Sequence, residues 1–221
     1  MLTKKTIQFL KDLKKNNNRE WFAANKSRYE EAKTEFENFL DTLIPKLAKF
    51  DKSIANLKAK NCVFRIYRDV RFSKDKSPYK THFGAHITSG GKKSEIHSKA
   101  GYYIHVEVGD AMLAGGAYLP PTEWLNAIRQ EINYNANDFK KILNSAEFKK
   151  YFGKMEGEKL VKAPKGYEPN HPEIELLKHK SFLATHKISE KELLSKDFLS
   201  HTVKVFKALE PFDNFLNRAM D

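Results

Sequence analysis

Residues 102–119 read YYIHVEVGDAMLAGGAYL, and few arrangements suit such a run. Side chains alternate along a strand, so Tyr102, Ile104, Val106 and Val108 share one face, while Tyr103, His105 and Glu107 share the other. Gly109 and Asp110 supply a turn, and residues 111–119 read as the returning strand, so 102–119 is a predicted hairpin. Pro120 and Pro121 end it. Further strands are predicted at 62–68 (CVFRIYR), 83–88 (FGAHIT, followed by a Gly-Gly turn in SGGKKSE) and 181–188 (SFLATHKI), all rich in β-branched and aromatic residues.

Helical spacing brackets these strands. Ile7, Leu10 and Leu13 mark a helix over 4–15 with Thr3 as its cap. NNNREWF (16–22) breaks it and starts another. Tyr29, Ala32, Phe36, Phe39, Leu40 and Leu43 continue the pattern over 25–43, with Pro45 near the end. Beyond the hairpin, Thr122 is the expected cap of a helix through Trp124, Leu125, Ile128 and Ile132. Short helices are expected at 138–144 and 146–152 and from Glu173 onward, and 159–173 reads as extended and turn-rich. A long helix over 197–220 is expected to kink or break at Pro211. Strands cluster instead of alternating with helices. The expected fold is therefore α+β: a mainly antiparallel central sheet flanked by N-terminal and C-terminal helices, in one domain over 1–221. Its parts are helical (1–50), sheet-rich (60–120) and mostly helical (121–221).

A chain of 221 residues, 40% hydrophobic and with 16 Phe and 9 Tyr, can bury a core without covalent staples. One cysteine, Cys62, excludes an intramolecular disulfide and a cysteine-based zinc site. It lies in an apolar run and is expected to be a small core residue. With no apolar stretch long enough for a signal peptide or a membrane span, the expectation is a cytoplasmic protein without membrane contact.

The charge is uneven. Residues 1–60 hold 14 Lys and Arg against 8 Asp and Glu, residues 61–100 hold 9 against 3, and residues 101–221 hold 17 against 17. The whole formal excess of +12 thus lies in the first hundred residues. A basic field favours anionic partners, either a phosphate-bearing small molecule or nucleic acid. Its centre is FRIYRDVRFSKDKSPYKTHF (64–83), with six Arg or Lys, two Asp and five Phe or Tyr. Phe64 and Ile66 are expected to point into the core. Arg65, Tyr67, Arg68, Arg71, Lys74, Lys76, Tyr79 and Lys80 are the candidate ligand-binding residues. Arginine pairs bidentately with phosphate and lysine supplies a point charge. Asp69 can orient Arg68 or Arg71 in a structural ion pair, the favoured reading, or bind a metal, and Asp75 can cap a turn before Pro78. Neither phosphate-loop signature, GxxxxGKS nor GxGxxG, occurs, and the glycine pair of GGAYLPP is assigned to close packing.

Should the strands share one sheet, Arg65, Tyr67, His82, His86, Tyr103, His105 and Glu107 could line its second face, with register left open. His105 and Glu107 are the acid–base candidates, with Asp69 a third. A metal site is not expected: His82 and His86 on one strand stand about 13 Å apart, too far to share an ion. Trp21 and Phe22 are expected in the core, with Arg19 reaching the basic patch.

The pattern R-x-x-R-D-x-R-F-S-K-D-K-x-P-Y-K-T-H, from Arg65 to His82, resembles the signature of a widespread bacterial and fungal family, domain of unknown function 2461. NREWF (18–22), GGAYLP (115–120), TEWLNAIRQEI (122–132) and HPEIELLKHKSF (171–182) extend the likeness over nearly the whole chain. The resemblance implies no reaction, substrate or cofactor. It marks Arg65, Arg68, Asp69, Arg71, Phe72, Lys76 and Tyr79 as site candidates without roles. Three readings of the basic stretch follow. It binds a small phosphorylated or otherwise anionic ligand, with catalysis left open; it binds nucleic acid, with Tyr67, Phe72 or Tyr79 stacking on bases; or Arg68, Asp69 and Arg71 form a structural ion-pair network.

Overall fold

The structure is a computed structural model that describes residues 2–89 and 96–220. In chain order the elements are α1 (Lys4–Lys15), α2 (Arg19–Ala24), α3 (Lys26–Leu47), the single turn α4 (Ala59–Cys62), β1 (His82–Ile87), β2 (Gly101–Glu107) and β3 (Ala111–Ala117). There follow α5 (Thr122–Asn144), α6 (Ala146–Phe152), the short α7 (Ile174–Leu177), β4 (Phe182–Ile188), the short α8 (Glu190–Leu193) and α9 (Phe198–Asn217). The four strands form one antiparallel sheet in the order β1-β2-β3-β4, an α+β arrangement. The hairpin of β2 and β3 forms as its alternation and its Gly-Asp turn dictate.

The apolar face of the sheet carries Phe83, Ala85 and Ile87 from β1, Tyr102, Ile104 and Val106 from β2, and Leu113 from β3, all buried. Helices α1, α3 and α9 cover it. Phe9 of α1 and Phe36 of α3 stack on Phe83 at 6.4 and 5.7 Å between ring centres. Phe206 of α9 meets Tyr102 at 5.0 Å. The glycine pair lets α9 approach β3. A β-carbon on Gly115 would stand 2.4 Å from Leu209 of α9. Gly116 has φ +111°, which side-chain-bearing residues rarely adopt, and a β-carbon there would stand 2.0 Å from the Phe182 carbonyl oxygen.

Several expectations need correction. Residues 62–68 do not form a strand: Cys62 ends the turn α4, and the chain then makes only single bridges, Val63 opposite Ala85 of β1 and Tyr67 opposite Tyr79 in the segment that precedes β1. Four steps on one side thus face six on the other, so the pairing slips by two residues and the ladder breaks. The Val63–Ala85 bridge sets Val63 on the helix-covered side with Ala85 and so turns its neighbour Phe64 to the other face, which overturns the placing of Phe64 in the core. Phe64 is half-buried and packs edge-on against Tyr103, 6.3 Å between ring centres, on the opposite side of the sheet from the helices; Ile66 is buried as expected.

Thr3 caps α1 as predicted, but Thr122 does not cap α5. Pro121 takes the cap position in an extended conformation and Thr122 is already helical. The helix expected at 138–144 is the second half of α5, joined across a kink at Asn135. The helix after Glu173 lasts one turn, and α9 continues through Pro211. The Gly-Gly turn predicted within 89–95 falls, from Gly90 to Glu95, outside the described residues. Among the described residues no helix is long and apolar enough to cross a membrane.

Candidate functional site

The uncovered face of the sheet carries the polar half of the alternation. His82 lies opposite Glu107, Gly84 opposite His105, and His86 opposite Tyr103. Because diagonal neighbours across an antiparallel pair come within reach of long side chains, His82 and His105 meet over Gly84, with their rings 4.2 Å apart. His105 is held at both nitrogens: Nδ1 lies 3.0 Å from the Tyr103 hydroxyl and Nε2 3.0 Å from Glu107 Oε2. His82 Nδ1 is 3.9 Å from the same Oε2. Thr81 donates its hydroxyl proton to the other carboxylate oxygen, Oε1, at 2.6 Å. One ligand atom each from His82, His105 and Glu107 lies within 4.8 Å of the other two.

Burial sets the charge states. It is the main cause that lowers the His82 imidazole to about 4, with the neighbouring His105 adding to it. Burial also raises the Tyr103 hydroxyl to about 12, so it stays protonated. For Glu107 burial pulls upward, but the hydrogen bonds from Thr81 and His105 outweigh it and hold the carboxyl below its ordinary value. The cluster therefore keeps a carboxylate next to a neutral His82 at neutral pH.

Further along the same face lies a cavity of about 300 Å³, with His86, Tyr103, Met112, Tyr118 and Thr185 among its lining residues. His86 is buried, and its Nδ1 has no hydrogen-bond partner among the described residues.

The basic candidates separate into groups. Arg68 is an internal fastener of the loop 69–77: it pairs with Asp75 and bonds Ser77 and, at 3.3 Å, the Ser73 hydroxyl. Asp75 in turn accepts from the Ser77 backbone at 2.9 Å, the turn-capping role expected of it; these bonds lower its carboxyl to about 2. Arg71 grips Asp69 with two bonds, 3.0 and 2.7 Å, and this pair is exposed. Hydrogen bonds from Arg71 lower Asp69 to about 2. Lys76 donates to the Val70 carbonyl at 2.9 Å. Tyr79 is buried, its ring stacked 3.9 Å from that of Phe22, so its face is already taken. Arg19, Arg65 and Lys74 are exposed, Tyr67 is 54% exposed and Phe72, at the loop tip, 96%.

Lys80 connects the two regions. Its ammonium stands over the Phe64 ring, 5.2 Å from the centre. Phe64 leans on Tyr103, and Tyr103 reaches His105. Of the acid–base candidates, His105 and Glu107 thus lie together, and Asp69 is held by Arg71 out in the loop. The convergence of His82 and Thr81 on Glu107 escaped the reading of separate strands. Distance along one strand correctly separates His82 from His86, but the partner of His82 is on the next strand. The basic stretch ends in Thr81 and His82, so it runs from the exposed loop directly into this cluster.

A family profile described as Conserved hypothetical protein (DUF2461) matches residues 5–215. No match was found among curated proteins or among solved structures.

Proposed function

The chain belongs to that family of conserved hypothetical proteins, and we propose that it binds a small, phosphate-bearing anion where the basic loop meets the uncovered face of the sheet. What carries the reading is the contiguous series Lys80, Phe64, Tyr103, His105 and Glu107, which joins a cation to a partly buried polar cluster. Lys80 lies close enough to His82 to depress its protonation. Arg65 and Lys74 add exposed positive charge, and Tyr67 offers a ring. Arg71 can share its guanidinium between Asp69 and a ligand, whereas Arg68 contributes by holding the loop in shape. The neighbouring cavity has room for the uncharged part of a small molecule.

The test is thermal stabilisation by a panel of nucleoside and sugar monophosphates. A ligand that binds only the folded chain raises its melting temperature in a saturable way. Arg65→Ala with Lys80→Ala is expected to remove that rise. Absence of any stabilising phosphate compound, or an undiminished rise in the double variant, overturns the reading.

A second reading rests on Phe72. A ring 96% exposed beside Arg71 on a basic loop is a platform on which a base can stack. Single-stranded nucleic acid is then the ligand. Its binding would fall steeply with salt as counterions are released and would weaken in Phe72→Ala, while phosphate monoester binding would not change.

A further inference from the structure

We infer that His82, His105 and Glu107 form a binding site for one divalent first-row transition-metal ion, of which Zn²⁺ is the simplest probe. The donor set is two imidazole nitrogens and one carboxylate oxygen, which suits zinc or iron(II) better than magnesium or calcium.

The geometry is close to what an ion requires. Zinc bonds nitrogen and oxygen at about 2.0–2.1 Å, so tetrahedral ligand atoms stand roughly 3.3 Å from one another. Here Glu107 Oε2 lies 3.0 Å from His105 Nε2 and 3.9 Å from His82 Nδ1. The remaining pair, His82 and His105, has its ligand atoms within 4.8 Å, so the donors need to draw together by no more than about 1.5 Å to hold one ion. The surroundings are built as well. A metal-bound histidine normally donates its other ring N–H to a fixed partner, and the Tyr103 hydroxyl stands 3.0 Å from His105 Nδ1. Thr81 holds Glu107 by Oε1 at 2.6 Å and leaves Oε2 to the ion. Gly84, opposite His105, leaves room for the tyrosine that meets His105: a β-carbon there would come within 3.1 Å of the Tyr103 hydroxyl.

Three protein ligands leave a coordination position open for water or a substrate oxygen. With an ion present, His105 acts as a ligand and not as a proton carrier. The site does not depend on the proposed phosphate ligand, because its geometry stands without one.

The experiment uses the full untagged chain, stripped with chelator, incubated with Zn²⁺, desalted, and measured for metal by mass spectrometry. The expected result is about one zinc per chain, with a higher melting temperature than the stripped protein. His82→Gln and Glu107→Gln are expected to lose the bound zinc and the temperature rise while keeping the wild-type circular dichroism spectrum. His186→Gln, in a separate histidine pair with His201, is expected to retain both. Cobalt(II) provides a second readout: intense visible absorption in the wild type, absent in His82→Gln, reports a low-coordinate protein site. Wild type that retains no zinc, or His82→Gln and Glu107→Gln that retain as much as wild type, overturns the inference. Zinc retained without stabilisation by any phosphate compound leaves the metal site standing and removes the phosphate reading; the reverse result does the opposite.

Discussion

His82 and Phe83 are neighbours in the chain and lie on opposite faces of one strand. Phe83 stacks among Phe9, Tyr29 and Phe36, where helices exclude water. His82 meets His105 and Glu107 on a face that α1, α3 and α9 leave alone. The same alternation continues along β2, with Tyr102, Ile104 and Val106 on one side and Tyr103, His105 and Glu107 on the other. Four antiparallel strands packed on one side by helices have a second side that stability does not need to fill with apolar residues. Polar groups there are held to one another by hydrogen bonds, at little cost to the core beneath.

Substitutions on the two faces should therefore separate in size and in kind. Phe206→Ala empties a fully buried position under Tyr102 and is expected to cost about 3–5 kcal/mol by denaturant unfolding. A loss below about 1 kcal/mol would mean that α9 can collapse onto the sheet and that the helical face is less closely packed than described.

The next effect depends on pH and belongs to the uncovered face. Burial lowers the His86 imidazole to about 4, whereas an unfolded chain titrates near 6.5. Above pH 6.5 both states are neutral and the contribution to stability is complete. As the pH falls from 6.5 to 4, the unfolded chain takes up a proton that the folded chain refuses, so stability declines, and below 4 this contribution is fully lost. The loss amounts to roughly 3 kcal/mol. His86→Leu, which also removes a buried nitrogen without a described partner, is expected to reduce the slope of stability against pH across that window to the share that His82, also lowered to about 4, contributes. An unchanged slope would show that His86 does not remain neutral.

Arg68→Ala removes the fastener between Arg68, Asp75 and Ser77. The expected cost is near 1 kcal/mol, with faster amide exchange confined to residues 69–77. Exchange that spreads into β1 would mean that the loop and the sheet unfold as one unit. Smallest of all, Phe72→Ala should alter stability by no more than about 0.5 kcal/mol, since the ring is 96% exposed. A larger loss would show that the ring is covered in solution.

The face carried by helices was largely legible from residue order. Periodicity places Phe36, Leu40 and Leu43 on one side of α3, and the short Gly109–Asp110 turn sets the pairing of β2 with β3. Thirteen residues separate β1 from β2, so no tight turn sets their register, and a slip by one residue would turn His82 to the other side. That is why His82, His105 and Glu107 could each be singled out while their meeting could not. Phe64 went astray for a related reason: the pairing of Val63 with Ala85, far away in sequence, gives the core side to Val63 and turns Phe64 away from it. The roles of Arg68 and Tyr79 were also hidden, because a loop that folds on its own Asp75 and Ser77 leaves no periodic trace.

The edges of the sheet constrain how anything else can dock. On β1, the Phe64 backbone N–H donates to the Gly84 carbonyl at 2.9 Å. On β4, Glu156 and Leu183 exchange both backbone bonds, at 2.8 and 3.0 Å. Each margin is thus engaged by a segment of the chain itself, which obstructs recruitment of a fifth strand from another molecule. The fold protects itself against edge-to-edge aggregation with a few bonds on each side, and recognition by strand addition is disfavoured. Molecules that engage the sheet are directed to its broad polar surface, where side chains and not backbone ladders decide what binds.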